Sequence, residues 1–275
     1  MSGTTDGLGG QPADTGGAAE PGTVGLLLVA TGRYRDFLPS VVAGAQRHVA
    51  GLTRVYVFSD ADPRPDLGRT VTWLPWGHLP WPYPTLLRYR AFSAYADMLG
   101  DTDVLLYSDV DMRFQDDVDV RAAAGTIAVI HPGYDGVPAD KLPYERREES
   151  VAYIPRGAGE RYVAGGVQGG RTAAYVDACR TITQWALTDL ANGIVPVWHD
   201  ESLWNKYCHL FPPSLILPRR YCVPEYENDP DAAIVALDKD HDALRGTRSA
   251  SRRMRRVRSA VGRGRRVLRP RERTR

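Results

Sequence analysis

No apolar run in this chain approaches the roughly 18 residues that a helix needs to cross a bilayer. The longest, near residues 24–30 and 104–107, are the size of β-strands, so no part of the chain is expected to span a membrane. Cysteine is scarce and odd in number. Cys179, Cys208 and Cys222 have no metal-ligand spacing, which argues against a disulfide framework and a zinc site and points to a reducing, cytoplasmic home. Bulky apolar side chains are almost missing from residues 1–22, which hold seven glycines. Such a stretch cannot bury enough surface to offset its ordering entropy, so a disordered leader and no signal peptide is the expectation.

What remains suffices for a core: 275 residues, 43% hydrophobic, read as one domain over residues 23–246 followed by a basic tail over 247–275. The net charge of +2 hides an asymmetry. Residues 248–275 carry thirteen Arg and one Glu, about +12, which leaves roughly −10 on the rest. Within the tail Met254, Val257, Val261 and Leu268 fall along one side of a helix, a pattern that suits an anionic membrane surface and a peripheral place at the inner membrane face. A solvated, frayed terminus is the plain alternative. The tail has no aromatic residue for bases to stack on, so a nucleic-acid partner is not expected.

Periodicity predicts strands at 25–30, 54–59, 71–74 and 104–108, with helices at 36–49 and 85–99 between them. Alternation of this kind implies an open, mostly parallel α/β sheet, in which ligands gather at the carboxyl ends of strands. The second half is less regular: a strand at 125–130, an irregular stretch over 132–161, the glycine-rich AGGVQGG at 164–170, whose glycines allow close backbone approach or equally a turn, ahead of a helix over 172–192, and a helix over 200–210.

The segment VLLYSDVDMR, residues 104–113, is the most informative. A buried strand ends in Asp109 and Asp111, and because alternate side chains of an extended segment share a face, the two are expected to point the same way. Two hard oxygen ligands there suit a divalent cation already chelated by a diphosphate, although D-x-D after a strand is also an ordinary start to a polar loop. A second acidic pair, Asp200 and Glu201, opens the predicted 200–210 helix, where exposed N–H groups and the macrodipole favour ionised carboxylates. By itself this pair could be a fragment of a helix cap.

DVDM, HPGYDG, YERR, AYIP, the GG-x-x-GG segment, ANGI and WHDES-x-x-NKY, in that order over some four fifths of the chain, make it similar to retaining glycosyltransferase family 6, which contains the histo-blood-group A and B enzymes and α-1,3-galactosyltransferase. The leader stands where the animal enzymes have an anchor and stem, so the chain resembles a soluble bacterial-type member. The resemblance implies a GT-A type fold, with a Rossmann-like sheet joined to an acceptor-binding half. The implied reaction moves GalNAc or Gal from UDP-GalNAc or UDP-Gal to a galactose-containing glycan acceptor, with retention.

By the same resemblance, Asp109 and Asp111, with Val110 between them, bind Mn²⁺, or Mg²⁺ in its place, together with the donor diphosphate. Glu201 is the catalytic residue, a nucleophile or a support for an oxocarbenium-like transition state. Val29, Ala30, Thr31 and Tyr34 match the uridine side. Arg88, with Arg90 close enough to compete in alignment, and Asp200 match donor contacts. Ala164 and Gly166, flanking Gly165, sort donors; a glycine at 166 implies space for an N-acetyl group and favours GalNAc. Lys239 and Arg245 match a segment that closes over the diphosphate. His131, Trp198 and His199 match acceptor contacts. The stretch CVPEYEND after Tyr221 and Pro143 before YERR depart from the family pattern on the acceptor side, which leaves the acceptor's identity open.

Two other classes compete. A D-x-D phosphatase would need a different residue from Phe114 downstream of the pair and an acidic box that the sequence lacks. A catalytically silent glycan-binding or scaffold protein of the same fold is the non-enzymatic alternative, and the intact DVD and WHDES motifs oppose it.

Overall fold

A computed structural model describes residues 22–245 of the chain. The leader through residue 21 and the basic tail from residue 246, with the helix and membrane expectations placed on it, lie outside the described residues. Among the described residues no helix is long and apolar enough to cross a membrane.

The chain opens as β1 (Val24–Val29), α1 (Leu38–His48), β2 (Leu52–Ser59) and β3 (Val71–Pro75). Three short helices follow, α2 (Tyr83–Leu86), α3 (Arg88–Ala94) and α4 (Ala96–Leu99), then β4 (Val104–Ser108), β5 (Met112–Phe114) and β6 (Thr126–Ile130). The second half holds β7 (Val163–Arg171), α5 (Thr172–Ala191), α6 (Asp200–Leu210), β8 (Leu215–Leu217), β9 (Val223–Pro224), β10 (Ile234–Ala236) and α7 (His241–Arg245). Seven strands form one sheet in the order β3-β2-β1-β4-β7-β6-β8, and β5, β10 and β9 make a small second sheet. β3, β2, β1 and β4 run parallel, as the alternating pattern implied, while β7 runs antiparallel to both its neighbours.

β1, β4 and the second half of β2 are buried on both faces, which is why they read as unbroken apolar runs, whereas the edge strand β3 is mostly half-buried. Leu26, Leu28, Val55, Val57 and Leu106 pack against α1 and Val41, Val42 and Ala45 on its inner side. Leu27, Tyr56, Phe58, Leu105 and Tyr107 face the other way into a layer with Phe92 of α3 and Tyr175, Cys179 and Ile182 of α5.

Two expectations change. The predicted 85–99 helix starts at Tyr83 and breaks at Leu87 (φ −105°, ψ 13°) and Tyr95 (φ −114°, ψ 21°). Leu86, Leu87, Arg88 and Tyr89 are all buried, and four consecutive inward side chains exceed the apolar stripe of a regular helix. The glycine-rich 164–170 segment is a central strand, not a turn. A Cβ on Gly169 would lie 2.1 Å from the Leu105 carbonyl oxygen, so the glycine lets β7 approach β4.

Candidate active site

A cavity of about 780 Å³ opens at the carboxyl ends of β1 and β4. Val29, Thr31 and Tyr34 line it from the end of β1, Thr85 and Arg88 from the broken helix, Asp109, Val110 and Asp111 from the end of β4, and Lys239 from the segment before α7. This is where an open α/β sheet places its ligand. Ala30 is buried behind this wall, its amide donating to the Phe58 carbonyl at 2.9 Å. His78 and Trp81, which the sequence did not single out, also line the cavity, and His78 Nδ1 lies 3.1 Å from the Thr31 hydroxyl.

Strand alternation is not what brings the two aspartates together. β4 ends at Ser108, and residues 109–111 form a tight turn into β5. The Asp109 amide donates to the Gly166 carbonyl at 2.8 Å, which ties this turn to β7. Asp109 keeps 34% of its side chain exposed and accepts from Arg88 Nη1 at 3.0 Å and from the Tyr107 hydroxyl. Asp111 is 5% exposed and pairs with the Lys239 ammonium. Burial and then the charge of Asp109 push the Asp111 carboxyl up, against the pull of Lys239. Among the described residues no cluster of three or more His, Cys, Asp or Glu gathers to hold an ion. Two hard carboxylates facing one cavity do fit a divalent cation whose remaining ligands come from a diphosphate and water, with Lys239 turning away from Asp111.

Arg88 is the hub. Its guanidinium is 3% exposed and reaches Asp109 through Nη1 and Asp200 Oδ2 through Nη2 at 2.9 Å. Nη1 also points at the Gly165 carbonyl at 3.3 Å, and the group lies 4.6 Å over the Tyr107 ring. Burial opposes its charge, but Asp200, Tyr107 and Asp109 outweigh that and hold Arg88 firmly protonated. Arg90 is exposed and does not line the cavity. A buried charge paired on two sides is costly to disturb from either side.

Asp200 and Glu201 do start α6, but not as ionised caps of its free N–H groups. His199 enters the helix at φ 53°, ψ −120°, with no side-chain cap. For a residue other than glycine such a conformation costs about 1–3 kcal/mol and persists only where its surroundings hold it. The Ser202 hydroxyl accepts from the Trp198 amide at 3.0 Å, and the His199 amide donates to the Pro196 carbonyl at 2.9 Å. Both carboxylates turn inward, and burial outweighs the helix dipole: Asp200 rises to about 6 and Glu201 to about 7. The Gly165 amide donates to Glu201 Oε2 at 2.8 Å, and the buried Tyr162 hydroxyl sits beside the same carboxylate without a formed hydrogen bond. A Cβ on Gly165 would lie 3.0 Å from Glu201 Cβ and 3.1 Å from Asp200 Oδ2, so glycine here makes room for the acidic pair.

Ala164 is buried within β7. The space above Gly166 is not open: a Cβ there would meet Met112 Cε at 2.8 Å and Asp109 Oδ2 at 3.0 Å. His131 follows β6; its Nδ1 accepts from the Gly133 amide at 3.1 Å, and its ring packs 4.9 Å from Tyr134 and 5.7 Å from Tyr162. Burial pulls its pKa down. Trp198 is exposed, and His199 meets Trp81 edge-on at 5.1 Å, linking α6 to the cavity rim. His241 and Leu244 of α7 line the cavity with Lys239, and Arg33 holds α7 through the Ala243 carbonyl at 3.2 Å. Arg245 ends α7, and its side chain lies outside the described residues.

Sequence reading missed Tyr107, Met112, Tyr162 and Gln168, whose amide donates to the Gly165 carbonyl at 2.8 Å. Tyr107 lies two residues before Asp109 and could have been flagged by strand periodicity. Tyr162 and Gln168 carry no such local signal, because what makes them part of the site is β7 crossing between β4 and β6.

The description "Glycosyltransferase family 6" matches residues 18–246 of the chain. The histo-blood group ABO system transferase 1 of Rattus norvegicus is 32% identical over 243 residues, spanning 81% of this chain and 68% of that protein. The globoside alpha-1,3-N-acetylgalactosaminyltransferase 1 of Homo sapiens is 31% identical over 237 residues, with the same two coverages of 81% and 68%. The O-antigen biosynthesis glycosyltransferase WbnI of Escherichia coli is 28% identical over 169 residues, 60% of this chain and 72% of that protein.

Proposed function

The chain belongs to glycosyltransferase family 6, and from that premise we propose that it moves N-acetylgalactosamine, or galactose, from a UDP-sugar to a galactose-containing glycan with retention, forming an α-1,3 linkage. One observation carries the reading. Arg88 grips Asp109 with one nitrogen and Asp200 with the other, so the D-x-D turn and the acidic start of α6 belong to a single site with Glu201 at its back.

In this reading Thr31 and Tyr34 receive the uridine beside the end of β1. Asp109 and Asp111 hold a divalent cation, Mn²⁺ or Mg²⁺, which when bound supplies positive charge against the leaving diphosphate. Lys239, now on Asp111, is placed to turn its ammonium to the same phosphates. Asp200, oriented by Arg88, accepts from hydroxyls of the donor sugar. Glu201, oriented by the Gly165 amide, faces the anomeric carbon and either bonds to it or offsets positive charge developing there. A carboxylate whose pKa is about 7 is poised for that work: it is ionised above neutrality, and it is weakly solvated, so its charge acts strongly on a nearby cationic centre. His131, Trp198 and His199 lie on the acceptor side. The glycine at 166 does not by itself favour N-acetylgalactosamine over galactose, because Met112 Cε and Asp109 Oδ2 crowd the space beside it.

The deciding experiment is UDP release from UDP-GalNAc and from UDP-Gal, with Mn²⁺ or with EDTA, in the presence of Fucα1,2Gal or plain galactosides. Release with one donor that needs the metal and rises with acceptor is the expected result. No release from either donor under any condition, by a protein that is folded and binds glycan, would turn the reading to a non-catalytic binder.

A further inference from the structure

Glu145 lies on the connection between β6 and β7, outside the lining of the cavity, yet it is one of the most heavily hydrogen-bonded carboxylates among the described residues. Its side chain is 3% exposed. Oε1 accepts from the amides of Arg146 and Arg147 and from Arg147 Nε, each at 3.0 Å. Oε2 accepts from Arg147 Nη2 at 2.6 Å and from the Val197 amide at 2.8 Å. Arg147 Nη2 also donates to the Val195 carbonyl at 2.7 Å. The pair therefore grips the chain at two points, a carbonyl at 195 and an amide at 197, immediately before Trp198 and the left-handed His199 that aims Asp200 and Glu201 inward.

We propose that the Glu145–Arg147 pair is a positioning element for transfer: it fixes the 195–199 turn and thereby sets the place of Glu201 against the Gly165 amide. The inference rests on the proposed role of Glu201. Neither member reaches the donor cavity, so the pair acts on turnover and not on nucleotide binding. The loop that carries it is itself anchored: Arg146 Nη1 donates to the Pro155 carbonyl at 2.7 Å, and Asp189 of α5 accepts from the Ser150 hydroxyl at 2.7 Å and the Val151 amide at 2.8 Å. The grip is thus rigid at its far end. On its near side the turn is also tied by the Ser202 hydroxyl, by the Pro196 carbonyl and by the Glu201 amide, which donates to the Trp198 carbonyl at 3.0 Å, and His199 rests against Trp81. Loss of the grip lets the turn relax and brings water to Glu201, which otherwise faces Tyr162, Asp200 and Asp109.

The test compares the wild-type chain with Glu145→Gln, Arg147→Lys and Glu201→Gln for kcat, KM of donor and acceptor, and UDP affinity. Misplacement of a reacting group by about an ångström costs on the order of 100-fold in rate. Glu145→Gln is expected to lower kcat by about 10- to 100-fold and leave UDP affinity within about twofold. Arg147→Lys keeps the charge but loses the forked reach to Val195, and is expected to lower kcat several-fold with the same split. Unchanged kcat, or kcat and UDP affinity falling together in folded protein, overturns the proposal. If Glu145→Gln does not fold, Arg147→Lys decides by the same criteria. Glu201→Gln separates the two ideas. A fully active Glu201→Gln overturns both, whereas an inert Glu201→Gln beside a fully active Glu145→Gln overturns the positioning role alone.

Discussion

The two halves of the molecule hold their functional residues by different physics. In the first half, β1, β2 and β4 are apolar on both faces, and polar side chains gather where strands end. Thr31, Asp109 and Asp111 are placed by sheet packing, a distributed and redundant constraint. In the second half the connections from β6 to β7 and from α5 to α6 have little regular structure, and buried polar side chains pin them: Glu145 on the 195–197 segment, Asp189 under the 150–151 turn, and Asn205 donating to the Val163 carbonyl and accepting from its amide at 2.8 and 2.9 Å. Each of these is a single point of failure. Binding is therefore expected to tolerate substitution better than turnover does, since the sheet carries one and isolated polar clamps carry the other.

The sharpest break between the halves is expected at Glu201. Glu201→Gln should lose transfer by several orders of magnitude and keep UDP binding, as equilibrium titration beside a UDP-release assay would show. The same variant should be more stable than wild type in a pH-dependent way. With the Glu201 carboxyl at about 7 when folded and 4.5 ordinarily, the native state holds an extra proton between those values, so wild-type stability falls as pH rises from 4.5 to 7. Removing the group should relieve a cost of ~3 kcal/mol above pH 7 and none below 4.5, read from denaturant midpoints across pH. Turnover of the wild type should fall as pH drops below 7, because the working form is the ionised one.

Arg88→Ala erases the boundary between the halves, since it strands Asp109 and Asp200 together without their shared cation. A loss of about 3–5 kcal/mol in unfolding free energy is expected, with transfer abolished. Gly169→Ala strikes the sheet alone. With 2.1 Å between a Cβ and the Leu105 carbonyl oxygen, β7 and β4 must part, at a cost of about 1–3 kcal/mol or more, and thermal unfolding should report it while the ratio of kcat to UDP affinity changes little. The smallest effect is reserved for the basic tail. Truncation after Gly246 should leave soluble activity unchanged and weaken binding to anionic vesicles; equal sedimentation of both forms would remove the membrane role proposed for it.

Much of the first half was legible because periodicity is local. The runs at β1, β2 and β4 show their double burial directly, and D-x-D marks the mouth of β4. The site as a whole was legible by resemblance more than by physics. Charge reasoning expected the helix start to favour the ionised forms of Asp200 and Glu201, and burial pushes both carboxyls the other way, because desolvation depends on what packs above them and not on their neighbours in sequence. The glycines of 164–170 were ambiguous for the same reason: what they make room for, the Leu105 carbonyl at Gly169 and the acidic pair at Gly165, arrives from elsewhere in the chain.

By itself, then, the amino-acid order determined the elements whose signals repeat within a few residues: the apolar strands, the helix faces, and the acidic pairs at 109–111 and 200–201. Only the tertiary structure decided that Arg88 joins those two pairs, that a turn and not strand alternation brings Asp109 and Asp111 to one cavity, and that Glu145 holds the approach to Glu201. Pairings of this sort are set by long-range closure of the sheet, and the energy of a charge is set by the water it loses, which no stretch of sequence carries alone.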